Sequence, residues 1–250
     1  MHTSKLAFCL IVTALALGLG SAQAADTASI SGKVAFDGDA PKMKKIKMDA
    51  DPKCAEMHAD TPATGQEVVV NGNGTLRWVF VYVKSGLPAG KTYEPPKEPV
   101  ELDQKGCAYE PHVFGMMAKQ PLKIKNTDPT LHNIHAMPTK SKEFNIGQPN
   151  QGMETLRTFA EPEIMVHFKC DVHPWMSAYV GVMSNPFYST TGDDGTFSTK
   201  GLPAGTYLVW FAGSFDNNRL AMFSSTVPVA IKYLMITLRS EPKRQNRFSH

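Results

Sequence analysis

Hydrophobic and polar residues alternate along much of the chain, and this alternation predicts β-strands. It is clearest in residues 29–36, 122–126 and 164–170. Residues 76–83 are a continuous β-branched and aromatic run, which is typical of a buried strand. Residues 67–70 run into Asn71-Gly72-Asn73-Gly74, a sequence that favours a tight hairpin turn.

Turn-forming residues interrupt these segments about every ten residues, which favours a β-sandwich. Only residues 51–58 suggest a helical turn, and the Pro-rich residues 88–99 suggest a surface loop. The pattern therefore predicts an all-β fold.

The character of the chain changes after Asn185-Pro186. Residues 202–209, with the sequence LPAGTYLV, resemble a strand-turn-strand piece of the small Ig-like domains of the carboxypeptidase-regulatory type. Because so short a segment is not a domain by itself, residues 185–212 are predicted to be a β extension packed on the main sandwich. Residues 213–250 are predicted to be a basic, poorly ordered tail.

The first 24 residues have the three parts of a secretory signal peptide. Lys5 supplies a basic start, residues 6–19 are an apolar run, and Ala22-Gln23-Ala24 offers a cleavage site before Ala25. The chain is therefore predicted to be exported to a bacterial periplasm. No later stretch is long and apolar enough to cross a membrane, so we expect a soluble product without stable membrane insertion.

Removal of the signal peptide leaves Cys54, Cys107 and Cys170. An odd number of cysteines in an oxidising compartment needs an explanation. The simplest is a Cys54–Cys107 disulfide, with Cys170 kept free because a metal ion holds its thiolate. The alternative is that Cys170 is an inert buried thiol, and whether Cys54 and Cys107 are bonded is open at this stage.

The charge distribution excludes one class of partner. The formal net charge is +3, and residues 219–250 contain six Lys or Arg residues and one acidic residue. No basic stripe interleaved with aromatic residues occurs before this segment, so nucleic acid is not an expected partner. We expect a monomer.

One short segment contains three donor groups that suit a one-electron copper site. Such a site uses a soft thiolate, two imidazoles and a weak axial thioether. Cys170, His173 and Met176 occur in the segment CDVHPWM, at the end of a predicted strand. A tight loop does not close the coordination plane alone, so the fourth ligand must come from elsewhere. His132 is the candidate, in NTDPTLHNIH after another predicted strand and turn.

The segments LHNIH and CDVHPWM together resemble the ligand loops of the cupredoxins, the family of blue type 1 copper proteins. The short Cys-x-x-His-x-x-Met loop is most similar to the amicyanin/plastocyanin-like group, and the resemblance covers roughly residues 105–184. It implies a cupredoxin-like Greek-key β-sandwich in residues 25–184 that holds one type 1 copper ion. It implies equatorial ligands His132, Cys170 and His173, axial ligand Met176, and Asn133 steadying the cysteine loop by hydrogen bonds.

The resemblance also implies that the edge of His173 reaches the surface within an apolar patch. Trp175 beside it has two open interpretations, a docking surface for a redox partner or a half-buried ring against the loop. His135 and His167 are expected to face away from the metal. For His112, a structural role and an approach to the metal are both open.

These observations predict a periplasmic carrier of single electrons between redox partner proteins of unknown identity. One alternative is a periplasmic copper storage or delivery protein. Another is a β-sandwich binding module for carbohydrate, suggested only by residues 202–209. No enzyme is expected, because no Ser/His/Asp or paired-carboxylate arrangement is evident and a copper ion with four protein ligands leaves no position for substrate.

Overall fold

The computed structural model describes residues 27–215, 219–228 and 234–239, and these residues are mainly β-structure. Sixteen strands and one helix occur in the described ranges. The first are β1 (Thr27–Asp37), α1 (Pro52–Met57), β2 (Phe80–Ser85), β3 (Val100–Gln104), β4 (Tyr109–Glu110), β5 (Val113–Met117), β6 (Leu122–Asn126), β7 (His132–Met137) and β8 (Phe144–Gln148). The others are β9 (Glu154–Arg157), β10 (Glu163–Lys169), β11 (Ser177–Met183), β12 (Tyr188–Thr190), β13 (Thr196–Pro203), β14 (Thr206–Phe215), β15 (Arg219–Pro228) and β16 (Leu234–Arg239).

Two sheets enclose the core of a first sandwich. One sheet has the strand order β5-β11-β10-β7-β8, and the other has the order β4-β3-β6-β9. Period-two patterning explains the packing, because Leu122 and Ile124 of β6 are fully buried while Lys123 and Lys125, which alternate with them, are partly exposed. Their partners across the core include Phe114, Phe168 and Val180 of the facing sheet.

A second sandwich is formed by the sheets β13-β1-β16 and β12-β2-β14-β15. Its core contains Ile30 and Val34 of β1, and it also contains Val81, Phe197 and Phe211 from β2, β13 and β14. β1, the first described strand, therefore shares a core with β13 and β14, which lie more than 150 residues later in the sequence.

A third apolar cluster joins the two sandwiches. Phe80 and Tyr82 of β2 pack with Tyr179 and Met183 of β11. The sheets can approach closely because β11 has a glycine under the Phe80 ring: a Cβ atom on Gly181 would lie 2.2 Å from that ring.

The predicted all-β, sandwich-type fold is confirmed, and α1 forms within the predicted helical turn. Of residues 76–83, which the sequence predicts as one strand, only those from Phe80 onwards form a regular strand, β2. Trp78 has a φ of 66°, and Thr191 takes up the backbone groups of Val79, so the ladder is interrupted there. The hairpin predicted at the Asn-Gly turn is reduced to a single bridge between Val70 and Leu76.

The predicted division into domains stays a prediction, but the strand partners cross its boundary at residue 185. β1 and β2 pair with β13 and β14, which lie beyond it. Part of the tail that is expected to be poorly ordered forms strands: residues 219–228 are β15 and residues 234–239 are β16. β15 pairs with the edge of β14, and β16 pairs with the edge of β1, so both edges are covered. The rest of the tail from residue 216, and the predicted signal peptide, lie outside the described residues. Within the described ranges, no helix is long and apolar enough to span a membrane.

Candidate metal centre

The loop from Cys170 to Met176 connects β10 and β11, which pair antiparallel. Two backbone hydrogen bonds close the loop: Cys170 N–H donates to Met176 O at 3.3 Å, and Met176 N–H donates to His173 O at 2.9 Å. β7 begins at His132 and pairs with β10 on its other side. Strand pairing therefore places His132 beside the loop, although 38 residues separate it from Cys170 in the sequence.

Three of the predicted ligand side chains direct their donor atoms toward one point. Cys170 Sγ lies 3.8 Å from His173 Nδ1, and His173 Nδ1 lies 2.9 Å from His132 Nδ1. All three donor atoms lie within 4.8 Å of one another, and none of the three residues is more than 2% exposed. The arrangement is a buried thiol and two imidazoles that face each other through the same ring nitrogen.

The fourth predicted ligand, Met176, follows the loop directly. It is 1% exposed and packs in the same core cluster as Cys170. Its position at the end of the loop is compatible with the predicted axial role, which stays a prediction.

Each imidazole is held on its other nitrogen by a carboxylate. His132 Nε2 lies 2.9 Å from Asp128 Oδ2, and His173 Nε2 lies 2.9 Å from Asp51 Oδ2. Because an ionised carboxylate only accepts hydrogen bonds, each Nε2 carries the proton and donates. In the neutral imidazole, this leaves the Nδ1 lone pair free to bind a metal ion.

The short distance between the two Nδ1 atoms indicates that something positively charged belongs between the two imidazoles. Two nitrogen lone pairs 2.9 Å apart repel each other unless a proton or a metal ion lies between them. Thiolate and imidazole together select soft or borderline cations such as copper over magnesium or calcium. The donor set of His132, Cys170 and His173 therefore fits copper.

The electrostatics of the cluster favour a deprotonated thiol. Burial acts to raise the pKa of Cys170, but hydrogen bonds to His132 and His173 outweigh it and lower the pKa to about 5. For His132, burial acts to lower the pKa, but hydrogen bonds to Asp128 and Cys170 outweigh it and raise the pKa to about 9. Without a metal, the thiolate and a protonated imidazole stabilise each other, and a bound metal ion takes the place of that proton.

Asp51 and Asp128 are themselves fixed by backbone N–H groups. Asp128 accepts hydrogen bonds from Gly106 N and Cys107 N, each at 2.7 Å. Asp51 is the N-cap of α1 and accepts from Lys53 N at 2.8 Å and Cys54 N at 3.3 Å. For Asp51, burial acts to raise the pKa, but hydrogen bonds, first that of His173, lower it to about 2. Burial also acts to raise the pKa of Asp128, but hydrogen bonds, first that of His132, lower it, so both carboxylates are ionised at neutral pH.

The predicted disulfide between Cys54 and Cys107 is confirmed. It ties α1 to the turn before β4, and both cysteines are fully buried. Cys54 Sγ lies 3.8 Å from His173 Nε2, so the disulfide covers the side of the cluster opposite Cys170. Cys170 is the free cysteine of the described residues.

Asn133 connects the start of β7 to the cysteine loop. Its Oδ1 accepts a hydrogen bond from Asp171 N at 2.7 Å and, when Cys170 is protonated, one from Cys170 Sγ at 3.2 Å. Its Nδ2 donates to Asn145 Oδ1 at 2.7 Å and to Asp171 Oδ2 at 3.2 Å. These bonds fix the loop backbone beside Cys170.

The expectation that the edge of His173 reaches the surface is wrong. His173 is 1% exposed, because Asp51 and the disulfide cover its Nε2 edge. Trp175 is half-buried and packs against His173 with ring centroids 5.0 Å apart and the ring planes tilted by 44°. Its Nε1 donates to Cys107 O at 3.1 Å. Trp175 also lines a cavity of about 1040 Å³.

The other three histidines with open or structural interpretations lie outside the cluster of donor atoms. His112 is buried and donates from Nδ1 to Ser177 O at 2.8 Å. His135 lies between Asp171 and Glu143, and His167 bonds Ser177 Oγ at 2.8 Å. Of the described residues, only His132, Cys170 and His173 combine a thiol with two imidazoles.

The sequence patterns miss the two carboxylates. Asp128 lies four residues before His132 in the turn before β7, and that spacing is the one local signal for it. Asp51 lies 122 residues before His173, and only the Asp-Pro start of the predicted helical turn marks it, as a helix cap.

Comparison with known proteins adds partial likenesses in fold. No protein-family model and no curated protein matches the chain. A copper-containing nitrite reductase (NirK) from Thermus scotoductus SA-01 is 18% identical over 40% of this chain, with a TM-score of 0.33, and the match spans 26% of the reductase. A purple cupredoxin from Nitrosopumilus maritimus is 21% identical over 33% of this chain and 98% of its own, with a TM-score of 0.29. A mutant of amicyanin in its Cu(I) form is 18% identical over 41% of this chain and 98% of its own, with a TM-score of 0.31. Likenesses of this size carry no argument about function.

Proposed function

We propose that the protein is an exported type 1 copper protein of the amicyanin/plastocyanin-like group that carries single electrons between redox partner proteins. His132, Cys170 and His173 are the equatorial ligands, and Met176 is the axial ligand. The observation that carries the proposal is the buried convergence of Cys170 Sγ with the Nδ1 atoms of both histidines. We place the protein in the periplasm, as a monomer with one copper ion and no enzymatic activity.

A bound copper ion supplies a reversible one-electron couple, and the chain supplies a rigid frame for it. Asn133 holds the loop beside Cys170, and the carboxylates of Asp51 and Asp128 hold both imidazoles. Since every donor residue is buried and fixed by hydrogen bonds, little rearrangement is expected when the charge of the centre changes.

The route of the electron must differ from the one that the family resemblance implies. The Nε2 edge of His173 is covered, but its ring is in tilted contact with the ring of Trp175, which borders the cavity. We assign the ring of Trp175 as the electron port. Leu131 and Val172 are 43% and 47% exposed and supply an apolar surface beside the centre for a transient redox partner.

Spectroscopy of the copper-loaded protein without its signal peptide tests the proposed function. Cu(II) bound by the Cys170 thiolate is expected to give strong visible absorption from sulfur-to-copper charge transfer, together with an EPR signal of one copper per chain. The variant Cys170→Ser should bind copper without that absorption, whereas His135→Gln should keep it. A copper-loaded protein without the band, or a band that survives in Cys170→Ser, contradicts the proposal.

Copper delivery is the competing function, and the burial of the site is the observation that separates the two. A delivery protein must release its ion to an acceptor, whereas none of the three donor residues here is more than 2% exposed. Mixing the copper-loaded protein with a high-affinity Cu(I) chelator measures release. We expect reduction by an external donor to be much faster than copper loss, and the reverse order would favour delivery.

A further inference from the structure

We propose that Asp51 and Asp128 are a matched pair of positioning residues, which fix the tautomer of both histidine ligands and bias the bound copper toward its oxidised form. This inference rests on the proposed copper site and deepens it. It assigns control of the metal affinity and the reduction potential to two carboxylates that lie outside the ligand motifs LHNIH and CDVHPWM.

The two carboxylates make equivalent contacts. Each accepts a hydrogen bond of 2.9 Å from the Nε2 of one imidazole, and each accepts one from the backbone N–H of one half of the disulfide. Cys54 N donates to Asp51, and Cys107 N donates to Asp128. The disulfide thus holds the two carboxylates in one frame, and the carboxylates hold the two imidazoles.

The positioning effect follows from the two nitrogens of the imidazole ring. With Nε2–H committed to a carboxylate, only Nδ1 has a lone pair, and it points toward the other ligands. Hydrogen bonds of this kind fix ring orientation and raise the basicity of the ligand, and their loss costs about 10- to 100-fold in metal affinity. Here both imidazoles have this support.

The electronic effect follows from charge. A negative charge in a buried site stabilises Cu(II) more than Cu(I), because it interacts with the larger positive charge. Asp128 is 3% exposed, and the side chain of Asp51 is 16% exposed, so water screens neither carboxylate fully. The carboxylate pair therefore lowers the reduction potential of the centre relative to a site with neutral partners.

Asparagine substitutions separate the two effects, since an amide oxygen still accepts the Nε2 hydrogen bond while the charge is removed. For Asp51→Asn and Asp128→Asn we expect the Cu(I)/Cu(II) ratio at fixed potential to rise about tenfold, equivalent to about 59 mV. Asp51→Ala and Asp128→Ala also lose the acceptor, and their affinity for Cu(II) should fall by about 10- to 100-fold. The matched control is Asp193→Asn, which removes an 81% exposed carboxylate in the turn before β13.

NMR of the protein loaded with Zn(II), a diamagnetic stand-in, gives a readout independent of electron transfer. In the wild type, the Nε2–H protons of His132 and His173 should be protected from exchange and shifted far downfield. Asp51→Asn should move only the His173 proton upfield, and Asp128→Asn only the His132 proton.

The inference is overturned if both protons are insensitive to the substitutions, or if the potential shifts no more than in Asp193→Asn. If copper does not bind to the wild type or gives no charge-transfer band, the proposed function itself fails, which is a separate outcome. Should Asp128→Asn not fold, Asp51→Asn alone decides, because Asp51 lies in the surface helix cap.

Discussion

Asp51 joins three parts of the molecule through one carboxylate. Oδ1 caps α1 by accepting from Lys53 N and Cys54 N, and Oδ2 accepts from Thr130 Oγ1 and His173 Nε2. A helix cap contributes about 1 kcal/mol to stability, and a buried charged hydrogen bond contributes more. One side chain thus serves the local helix and the metal centre together.

Trp175 gives a first prediction at this scale. Replacing its ring by Trp175→Leu should slow electron self-exchange of the copper-loaded protein at least severalfold, because the aromatic contact between His173 and the cavity is lost. The potential should stay nearly constant, and Trp175→Phe should restore much of the rate. NMR line broadening in mixtures of the reduced and oxidised protein measures the exchange.

The matched control for Trp175 is Val172→Thr, which changes the exposed apolar face of the loop at constant shape. If Val172→Thr slows self-exchange and Trp175→Leu does not, the electron enters through the loop face and the assignment of Trp175 is wrong.

Asn133 gives a second prediction. Asn133→Ala leaves the partly buried Asp171 N–H without its acceptor, so the free energy of unfolding should fall by about 0.5–1.5 kcal/mol. The charge-transfer band should also shift, because the loop around Cys170 loses its anchor. Urea unfolding and visible spectra check both effects. Asn145→Ala removes the bond from Asn133 Nδ2 and the bond from Asn145 Nδ2 to Asp171 Oδ2, but it leaves the contacts of Asn133 Oδ1 in place. An equal loss in that variant would contradict the role given to Asn133 Oδ1.

His112 gives a prediction about pH. Burial lowers the pKa of His112 below its usual value, although the hydrogen bond to Ser177 O and the charge of Glu67 act to raise it. The folded state therefore resists protonation, and the unfolded state binds the proton more readily. Stability from this group is present above about pH 6.5 and is lost as the pH falls through the folded pKa, by up to about 1.4 kcal/mol per pH unit.

The variant His112→Phe keeps the ring packed against Trp78 and Tyr179 but does not titrate. In urea unfolding between pH 7 and pH 5, its free energy of unfolding should fall less steeply than that of the wild type. Parallel curves for the two proteins would show that His112 does not contribute.

Among the secondary-structure elements, β11 has a dual role. One face belongs to the core of the first sandwich, and the other receives Phe80 and Tyr82 of β2. Gly115 of β5 and Gly181 of β11 occupy neighbouring, paired positions where a side chain would collide with the aromatic rings. The junction of the two sandwiches therefore depends on two glycines in a parallel pair of strands.

Gly181→Ala tests this junction. The added Cβ would lie 2.2 Å from the Phe80 ring, so overpacking should cost about 1–3 kcal/mol in the free energy of unfolding. Combining it with Phe80→Leu should recover part of the loss. The control is Gly147→Ala in β8, where nothing lies within 4 Å of the added atom. Equal effects in both variants would show that the cost comes from the backbone and not from the junction.

At the scale of the whole molecule, sequence patterns predict what is local. The alternation of residues predicts the strand at residues 122–126, and the spacing of Cys170, His173 and Met176 predicts the ligand loop. Both predictions succeed because the residues involved are close in sequence. The strand partners of β1 and the burial of His173 depend on contacts across more than a hundred residues, and no local pattern specifies them. The family resemblance implies an exposed histidine edge, and nothing in residues 170–176 indicates that Asp51 and α1 cover it.

The cover over His173 also bears on how copper reaches the site. In the oxidised protein, the disulfide and α1 close the approach along the Nε2 edge of the imidazole. We predict that the oxidised, metal-free protein takes up copper much more slowly than the Cys54→Ala/Cys107→Ala double variant, as followed by stopped-flow growth of the charge-transfer band.

Equal uptake rates would show that copper enters from another side. Slower uptake by the oxidised protein would mean that the disulfide limits how fast an ion reaches and leaves the centre.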